Sequence, residues 1–227
     1  TFAVSKDAKK PAYTGILFKI YENGKLILYA SDTFRVARAE KDFREPLIDL
    51  RLVVPGKTLN IISRIIEEDD NEFISCYFSN REIIFVYKNY VIASRLIEDQ
   101  FADFDQIFDR NFTTSISVKR KSLEESLIRA MLSAEKGLPR AFFDIVGNSM
   151  NITAKDKIGS CYEKVPISKT GDDIKNYIYN MRFLIEPLRV IKAENIDIEF
   201  DGNGGLCKIS YEHENYNYKY FLAPIKN

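Results

Sequence analysis

Apolar residues dominate Ile16 to Ile20 and again Lys25 to Ala30, and between the two runs lies Glu22-Asn23-Gly24. Asn-Gly tolerates the positive φ of a tight hairpin turn, so this stretch predicts strand, turn, strand. The same arrangement returns as Ala141 to Val146, Gly147-Asn148-Ser149 and Met150 to Ala154. Farther on, Leu59, Ile62, Ile65 and Ile66 recur at intervals of three and four, which predicts a helix with one apolar face and with Arg64 off that stripe. Lys57, Leu59, Arg64, Ile65 and Ile66 find Arg182, Leu184, Arg189, Val190 and Ile191 at one constant offset, predicting a second helix of the same kind. Each helix runs into strands: Glu72 to Phe78, Glu82 to Tyr87 and Tyr90 to Leu96 after the first, and Ile196 to Phe200, Cys207 to Glu212 and Tyr216 to Leu222 after the second.

Ordered matches through hairpin, helix and strands imply two copies of one α+β unit of ordinary domain size. The join falls near Asp109-Arg110-Asn111, giving domains 1–110 and 111–227. The second copy opens with an alternating strand, Thr114 to Val118, and a helix over Ser122 to Glu135, with Ser122 as N-cap and Glu125 as its capping-box partner. In the first copy only the stub Phe2 to Lys6 corresponds, to the tail of that helix. The first domain is therefore expected to lack its initial strand and most of its first helix, and the chain to be a piece of a longer protein.

Composition narrows the chemistry. Of 227 residues, 45% are apolar, enough for a buried core. Lys plus Arg balance Asp plus Glu at 33 each, so no global field would draw the protein to nucleic acid or an anionic membrane, and any DNA contact must be local. The three cysteines, Cys76, Cys161 and Cys207, are odd in number and far apart, which predicts structural thiols in a reducing compartment. No apolar run approaches a membrane span and no leader pattern is present, so the expectation is a cytoplasmic protein without a membrane partner.

Enzyme chemistry finds little support. The sole histidine, His213, lies in Glu212-His-Glu-Asn215 without a second histidine or a suitably spaced cysteine for a zinc site. Asp69-Asp70 and Asp172-Asp173 match metal-binding carboxylates only in composition, and Gly202-Asn-Gly-Gly205 reads as a hairpin turn and not as a phosphate loop. The chain is expected to be no enzyme and to need no metal or cofactor.

Five short motifs in order resemble those of the bacterial sliding clamp, the β subunit of the replicative DNA polymerase. Leu28-Tyr-Ala-Ser-Asp-Thr-Phe-Arg-Val-Ala37 resembles the A-T-D-x-x-R-L-A signature of its middle domain, Val53-Val-Pro-Gly-Lys57 its V-P-x-K helix start, and Phe101-Ala-Asp-Phe104 its F-P-D-Y element. Asn148 to Ala154 is similar to the N-x-L-x-I-x-A strand of the last domain, and Phe221-Leu-Ala-Pro-Ile225 to its V-V-M-P-M tail. The resemblance implies an α+β fold of tandem clamp domains, each with antiparallel sheets outside and two helices inside, the first copy truncated at its N-terminus. It implies a processivity factor built from three such domains per subunit and closed head to tail as a homodimeric ring, with this piece unable to close one.

The same resemblance implies a cleft between the middle and last domains that accepts short linear peptides of the polymerase, the clamp loader and repair proteins. Tyr13, Ser31, Thr33, Arg35, Val36, Ala102 and Ile107 would line its middle-domain side, and Phe221, Leu222, Ala223, Pro224 and Ile225 its last-domain side, flanked by Asn180 and Phe183. Arg35 would hold a peptide carbonyl or carboxylate, with a structural ion pair as the alternative; Val36 and Ile107 would otherwise be core residues. Thr33-Phe34, Ala102 and Gln106 depart from the family, which often has small or histidine residues, proline and a basic residue there. For loosely held duplex DNA the resemblance implies Lys9, Lys10, Lys57, Arg64, Arg129, Arg182, Arg189 and Lys192, and for subunit closure Met131 and Leu132. A stand-alone duplicated peptide-binding module, unrelated to DNA, is the alternative.

Overall fold

The computed structural model describes residues 3–43, 48–66, 73–157, 159–202 and 205–226. Thr1-Phe2, Asp69-Asp70, Glu72 and Asn203-Gly204, on which some of the expectations above fall, lie outside these. The chain divides into two compact units, Thr1–Phe104 with Glu214–Tyr216, and Asp105–His213 with Asn217–Asn227.

In the first unit, β1 (Gly15–Ile20) and β2 (Lys25–Ser31) form the hairpin that Asn23-Gly24 predicts, with Gly24 at φ +83°. β3 (Arg35–Asp42) pairs with β2, and β4 (Leu50–Pro55) pairs with β1, so the sheet runs β3-β2-β1-β4, all antiparallel. Helix α1 (Gly56–Ile65) follows β4, and β5 (Ser75–Phe78), β6 (Glu82–Tyr87) and β7 (Tyr90–Arg95) form a second antiparallel sheet. Ile62 of α1 is buried in a cluster with Leu52, Val54, Ile83 and Phe85, and Leu59 packs against it. Burying aliphatic side chains of this size stabilises by about 1.5 to 3 kcal/mol each. Ile66 departs from the expected stripe: it caps the helix in an extended conformation and is exposed.

The second unit repeats this plan. β9 (Arg140–Val146) and β10 (Ser149–Lys155) form a hairpin around Gly147-Asn148, β11 (Ser160–Pro166) pairs with β10 and β13 (Ile174–Asn180) with β9, giving the order β11-β10-β9-β13. That is the order of β3-β2-β1-β4, element for element. Helix α3 (Met181–Val190) then stands where α1 does, and β14 (Asn195–Phe200), β15 (Cys207–His213) and β16 (Tyr216–Leu222) stand where β5 to β7 do. The additions are β8 (Thr114–Lys119), paired with β14, the short β12 (Ser168–Gly171) at its edge, and helix α2 (Arg120–Met131).

Helix α2 starts two residues earlier than its sequence signals predict and uses no side-chain cap; Lys119 is its N-cap. Tertiary bonds replace the capping box. The Arg120 amide donates to the Glu194 carbonyl, and its guanidinium donates to the carbonyls of Ala193 and Leu188, 2.9 Å each. The helix ends at Met131, and Leu132 to Ala134 continue as turns. Leu123, Leu127 and Ala130 are buried on α2, Leu184, Ile185 and Leu188 on α3, and Ala141, Phe143, Ile145, Met150 and Ile152 on β9 and β10. Among the described residues no helix is long and apolar enough to cross a membrane.

Candidate functional site

The β2–β3 connection of the first unit carries a dense set of side-chain bonds to backbone. β2 ends on Ser31, wholly buried, and β3 begins on Arg35 and Val36, 6% and 4% exposed. Three residues must reverse the chain between them. Thr33 does so at φ +77°, and it is the one β-branched residue in the left-handed region among the described residues. L-residues pay about 1 to 2 kcal/mol there.

Five hydrogen bonds hold this turn. The Thr33 amide donates to Ser31 Oγ at 3.0 Å, and Ser31 Oγ donates to the Arg35 carbonyl at 2.8 Å. The Phe34 and Arg35 amides donate to Asp32 Oδ1 at 3.1 and 3.2 Å, and Arg35 Nε donates to Asp32 Oδ2 at 2.8 Å. Arg35, expected to hold a peptide carbonyl or carboxylate, is thus already engaged by Asp32. Asp32, which carries no expected role in the motif that contains it, is the acceptor that an aspartate beside a tight turn usually is for backbone amides. Phe34, which departs from the small or histidine residues of the family, projects from the turn and is 64% exposed.

Elsewhere in the first unit, Tyr13 is half-buried against Phe101, ring centroids 5.1 Å apart, and Phe104, 6.5 Å. Ala102, half-buried, lies in the same segment.

In the second unit the expected peptide residues separate into two groups. Phe221 and Leu222 are each 1% exposed, and the Phe221 ring meets Phe108 edge-on at 4.6 Å, so both are core residues. Ala223, Pro224 and Ile225 are half-buried; the Ile225 amide donates to the Ile178 carbonyl at 2.8 Å. Asn180 caps α3, its side-chain oxygen accepting from the Arg182 amide at 3.0 Å. Phe183 is half-buried, and its carbonyl accepts from Tyr220. Ile107, half-buried, sits in the 3-10 turn Asp105–Asp109.

The candidate cations divide by what holds them. Lys57 and Arg64 are exposed two turns apart on α1, and Arg182 and Arg189 two turns apart on α3, so each pair shares a helix face. Among the described residues no ion pair engages Lys57, Arg64 or Arg182. Arg189 instead meets Glu124 at 3.1 Å, and Arg129 is held by both oxygens of Glu163. Lys9 and Lys10 are exposed in the loop before Pro11, and Lys192 is exposed after α3. Leu132 is 85% exposed and Met131 half-buried.

The remaining candidates for chemistry have structural partners. Asp173 pairs with Lys169 and accepts from the Gly147 amide at 3.2 Å; the Lys169 ammonium holds its carboxyl below the usual range. His213 ends β15, its ring 6.2 Å from that of Tyr211.

A family profile described as the DNA polymerase III beta subunit, central domain, matches residues 1–103. The beta sliding clamp of Staphylococcus epidermidis is 24% identical over 203 residues, 88% of this chain and 53% of that protein. Residues 1–103 thus match a sliding-clamp central domain, and the chain as a whole is similar to the beta sliding clamps. It spans about half the length of the curated relatives it matches. The DNA polymerase III beta subunit of Thermotoga maritima superposes with a TM-score of 0.87 at 27% identity, covering 100% of this chain and 61% of that one. The DNA polymerase sliding clamp of Bacillus subtilis, at 23% identity, shares the fold with a TM-score of 0.91 over 100% of this chain and 60% of its own. The α+β architecture of mostly antiparallel sheets is therefore that of the sliding clamps, and the braced Ser31 to Arg35 turn belongs to the part matched by the clamp central domain.

Proposed function

We propose that this chain serves as the peptide-binding part of a DNA sliding clamp, a non-catalytic processivity factor that tethers a replicative polymerase, its clamp loader and repair proteins to duplex DNA. The observation that carries the reading is the Ser31 to Val36 turn within the matched central domain, where buried Ser31 and half-buried Asp32 fix three successive backbone amides. A rigid backbone loses little entropy on binding, which suits a surface that receives flexible linear peptides. In the first unit partner peptides bind Tyr13, Thr33 and Ala102, with Val36 supporting the turn from the core; in the second unit they bind Ile107, Ala223, Pro224 and Ile225, with Asn180 and Phe183 flanking. Arg35 acts through Asp32, as a positioning residue. Phe221 and Leu222 support the tail from the core.

Lys9, Lys10, Lys57, Arg64, Arg182 and Lys192 meet phosphates without base readout. Arg129 and Arg189 contribute less than Lys57, Arg64 and Arg182, because carboxylates already hold the first two. In a whole ring Met131 and Leu132 take part in head-to-tail closure, for which an 85% exposed leucine is suited.

The test is fluorescence-anisotropy titration of a short peptide containing adjacent leucine and phenylalanine, with wild type, Arg35→Ala and Ile225→Ala. Loss of affinity in both variants supports the reading. Unchanged affinity in both, with melting curves like that of the wild type, overturns it.

A further inference from the structure

Ala223, Pro224 and Ile225 follow β16 and belong to no helix or strand. A tail of this kind stays ordered only where something ties it down. One tie is the bond from the Ile225 amide to the Ile178 carbonyl of β13 at 2.8 Å. The second lies in the β14–β15 turn. Gly205 is buried there at φ +67°, and a Cβ at that position would stand 3.0 Å from Pro224 Cγ and 3.3 Å from Pro224 Cβ. Glycine thus answers two demands at once, a left-handed backbone and room for the proline ring.

Two tyrosines of β13 hold this turn. Tyr179 has no exposed surface, and its hydroxyl donates to the Gly205 carbonyl at 2.6 Å. The Tyr177 hydroxyl, with one proton to share, lies 3.0 Å from the carbonyl oxygens of both Asp201 and Gly202. The two rings meet nearly edge-on, their centroids 6.3 Å apart. Burial pushes both phenols up, so the hydroxyls remain donors. Phenylalanine would fill the same space; the hydroxyls add a grip on the turn that carries Gly205.

We propose that Tyr177, Tyr179 and Gly205 are positioning residues of the peptide site: the tyrosines fix the β14–β15 turn, and its glycine seats Pro224 so that the tail is held ready for a partner peptide. This rests on the reading of Ala223 to Ile225 as peptide contacts. A tail ordered before binding spares the complex the cost of ordering it.

The experiment titrates a short fluorescent peptide, leucine then phenylalanine, into wild type, Tyr177→Phe, Gly205→Ala, Pro224→Ala and the double variant Gly205→Ala with Pro224→Ala. Thermal melts show which are folded, and amide exchange followed by NMR compares Ile225 with Ile209, buried in the β14–β15 ladder. Gly205→Ala and Tyr177→Phe should each weaken binding by roughly 2- to 10-fold and speed exchange at Ile225 more than at Ile209. The cost of Gly205→Ala should shrink in the Pro224→Ala background, where the atom nearest the new methyl is gone. If Gly205→Ala does not fold, Tyr177→Phe, which keeps its ring, decides by the same two measurements. Binding and Ile225 exchange equal to wild type in the folded variants overturn this inference and leave the peptide site standing, as does a Gly205→Ala cost that Pro224→Ala does not reduce. Absence of binding to wild type overturns both.

Discussion

The guanidinium of Arg129 is gripped by Glu163, Nε to Oε1 at 2.9 Å and a terminal nitrogen to Oε2 at 2.7 Å, with Ser126 Oγ accepting a further bond at 2.9 Å. A bidentate pair of this kind joins helix α2 to strand β11 and fixes geometry better than a single contact does.

The hydrogen bond from Arg129 holds the Glu163 carboxyl below the usual carboxylate range. A carboxyl whose pKa is depressed on folding adds stability above its unfolded pKa, and that stability is lost as pH falls through the folded value. Glu163→Gln should therefore flatten the acid side of the stability curve while leaving the neutral side nearly parallel to that of the wild type. Urea unfolding between pH 7 and pH 3 reads the difference; an unchanged acid slope would count against the pair.

The same pair bears on DNA. If phosphate contacts come from cations that no carboxylate holds, Lys57→Gln, Arg64→Gln and Arg182→Gln should each lower the slope of log affinity against log salt by about 0.9. Arg129→Gln and Arg189→Gln should change it less, because Glu163 and Glu124 already occupy those guanidinium groups. Equal losses at all five positions, measured with duplex DNA at low salt, would refute the division.

Leu127 of α2 has no exposed surface and lies in the same helix face as Leu123 and Ala130. Leu127→Ala leaves a cavity and should cost about 2 to 5 kcal/mol. Exposed Leu132, one residue past the helix, should tolerate the same change within about 0.5 kcal/mol. Chemical denaturation of both variants gives the contrast.

The thiols should report the fold. Full burial pushes the Cys207 thiol far up, and it should react with a thiol reagent only on unfolding. Cys76, on exposed strand β5, should react first, and faster as pH rises, because desolvation pushes its thiol up as well. Labelling of Cys207 as fast as Cys76 in native buffer would contradict the packing.

What was legible in the sequence was whatever local chemistry decides. Asn23-Gly24 and Gly147-Asn148 give their hairpins because the turns need positive φ, and the helices at Leu59 and Leu184 show their buried faces at intervals of three and four. β11 was not legible, since its alternation lies among polar and charged residues and only Val165 is buried. The start of α2 was misread because carbonyls of Leu188, Ala193 and Glu194, remote in sequence, replace the cap. At the candidate site the letters distinguish apolar from polar but not core from surface. Phe221 and Leu222 therefore read like Ile225, although they are buried and Ile225 is half-exposed. The role of Asp32 is not legible in the motif that contains it, because its partners are mostly backbone amides, which leave no mark in side-chain periodicity.

The braced turn gives the sharpest test of strain held for a purpose. Glycine adopts φ near +77° freely, so Thr33→Gly removes the steric cost, while the added freedom of the unfolded chain returns part of it. The net expectation is a gain of about 0.5 to 1 kcal/mol in folding stability. Binding should move the other way, because a glycine at this position lets the turn sample more conformations and charges their loss to the peptide complex. Asp32→Asn keeps Thr33 but weakens the grip on Arg35 and the two amides, so it should lower stability and affinity together. Opposite signs for Thr33→Gly, read by denaturant unfolding and peptide titration on the same preparation, would mark the strain as functional. A variant that is both more stable and equally tight would mean that the turn's conformation is incidental to binding.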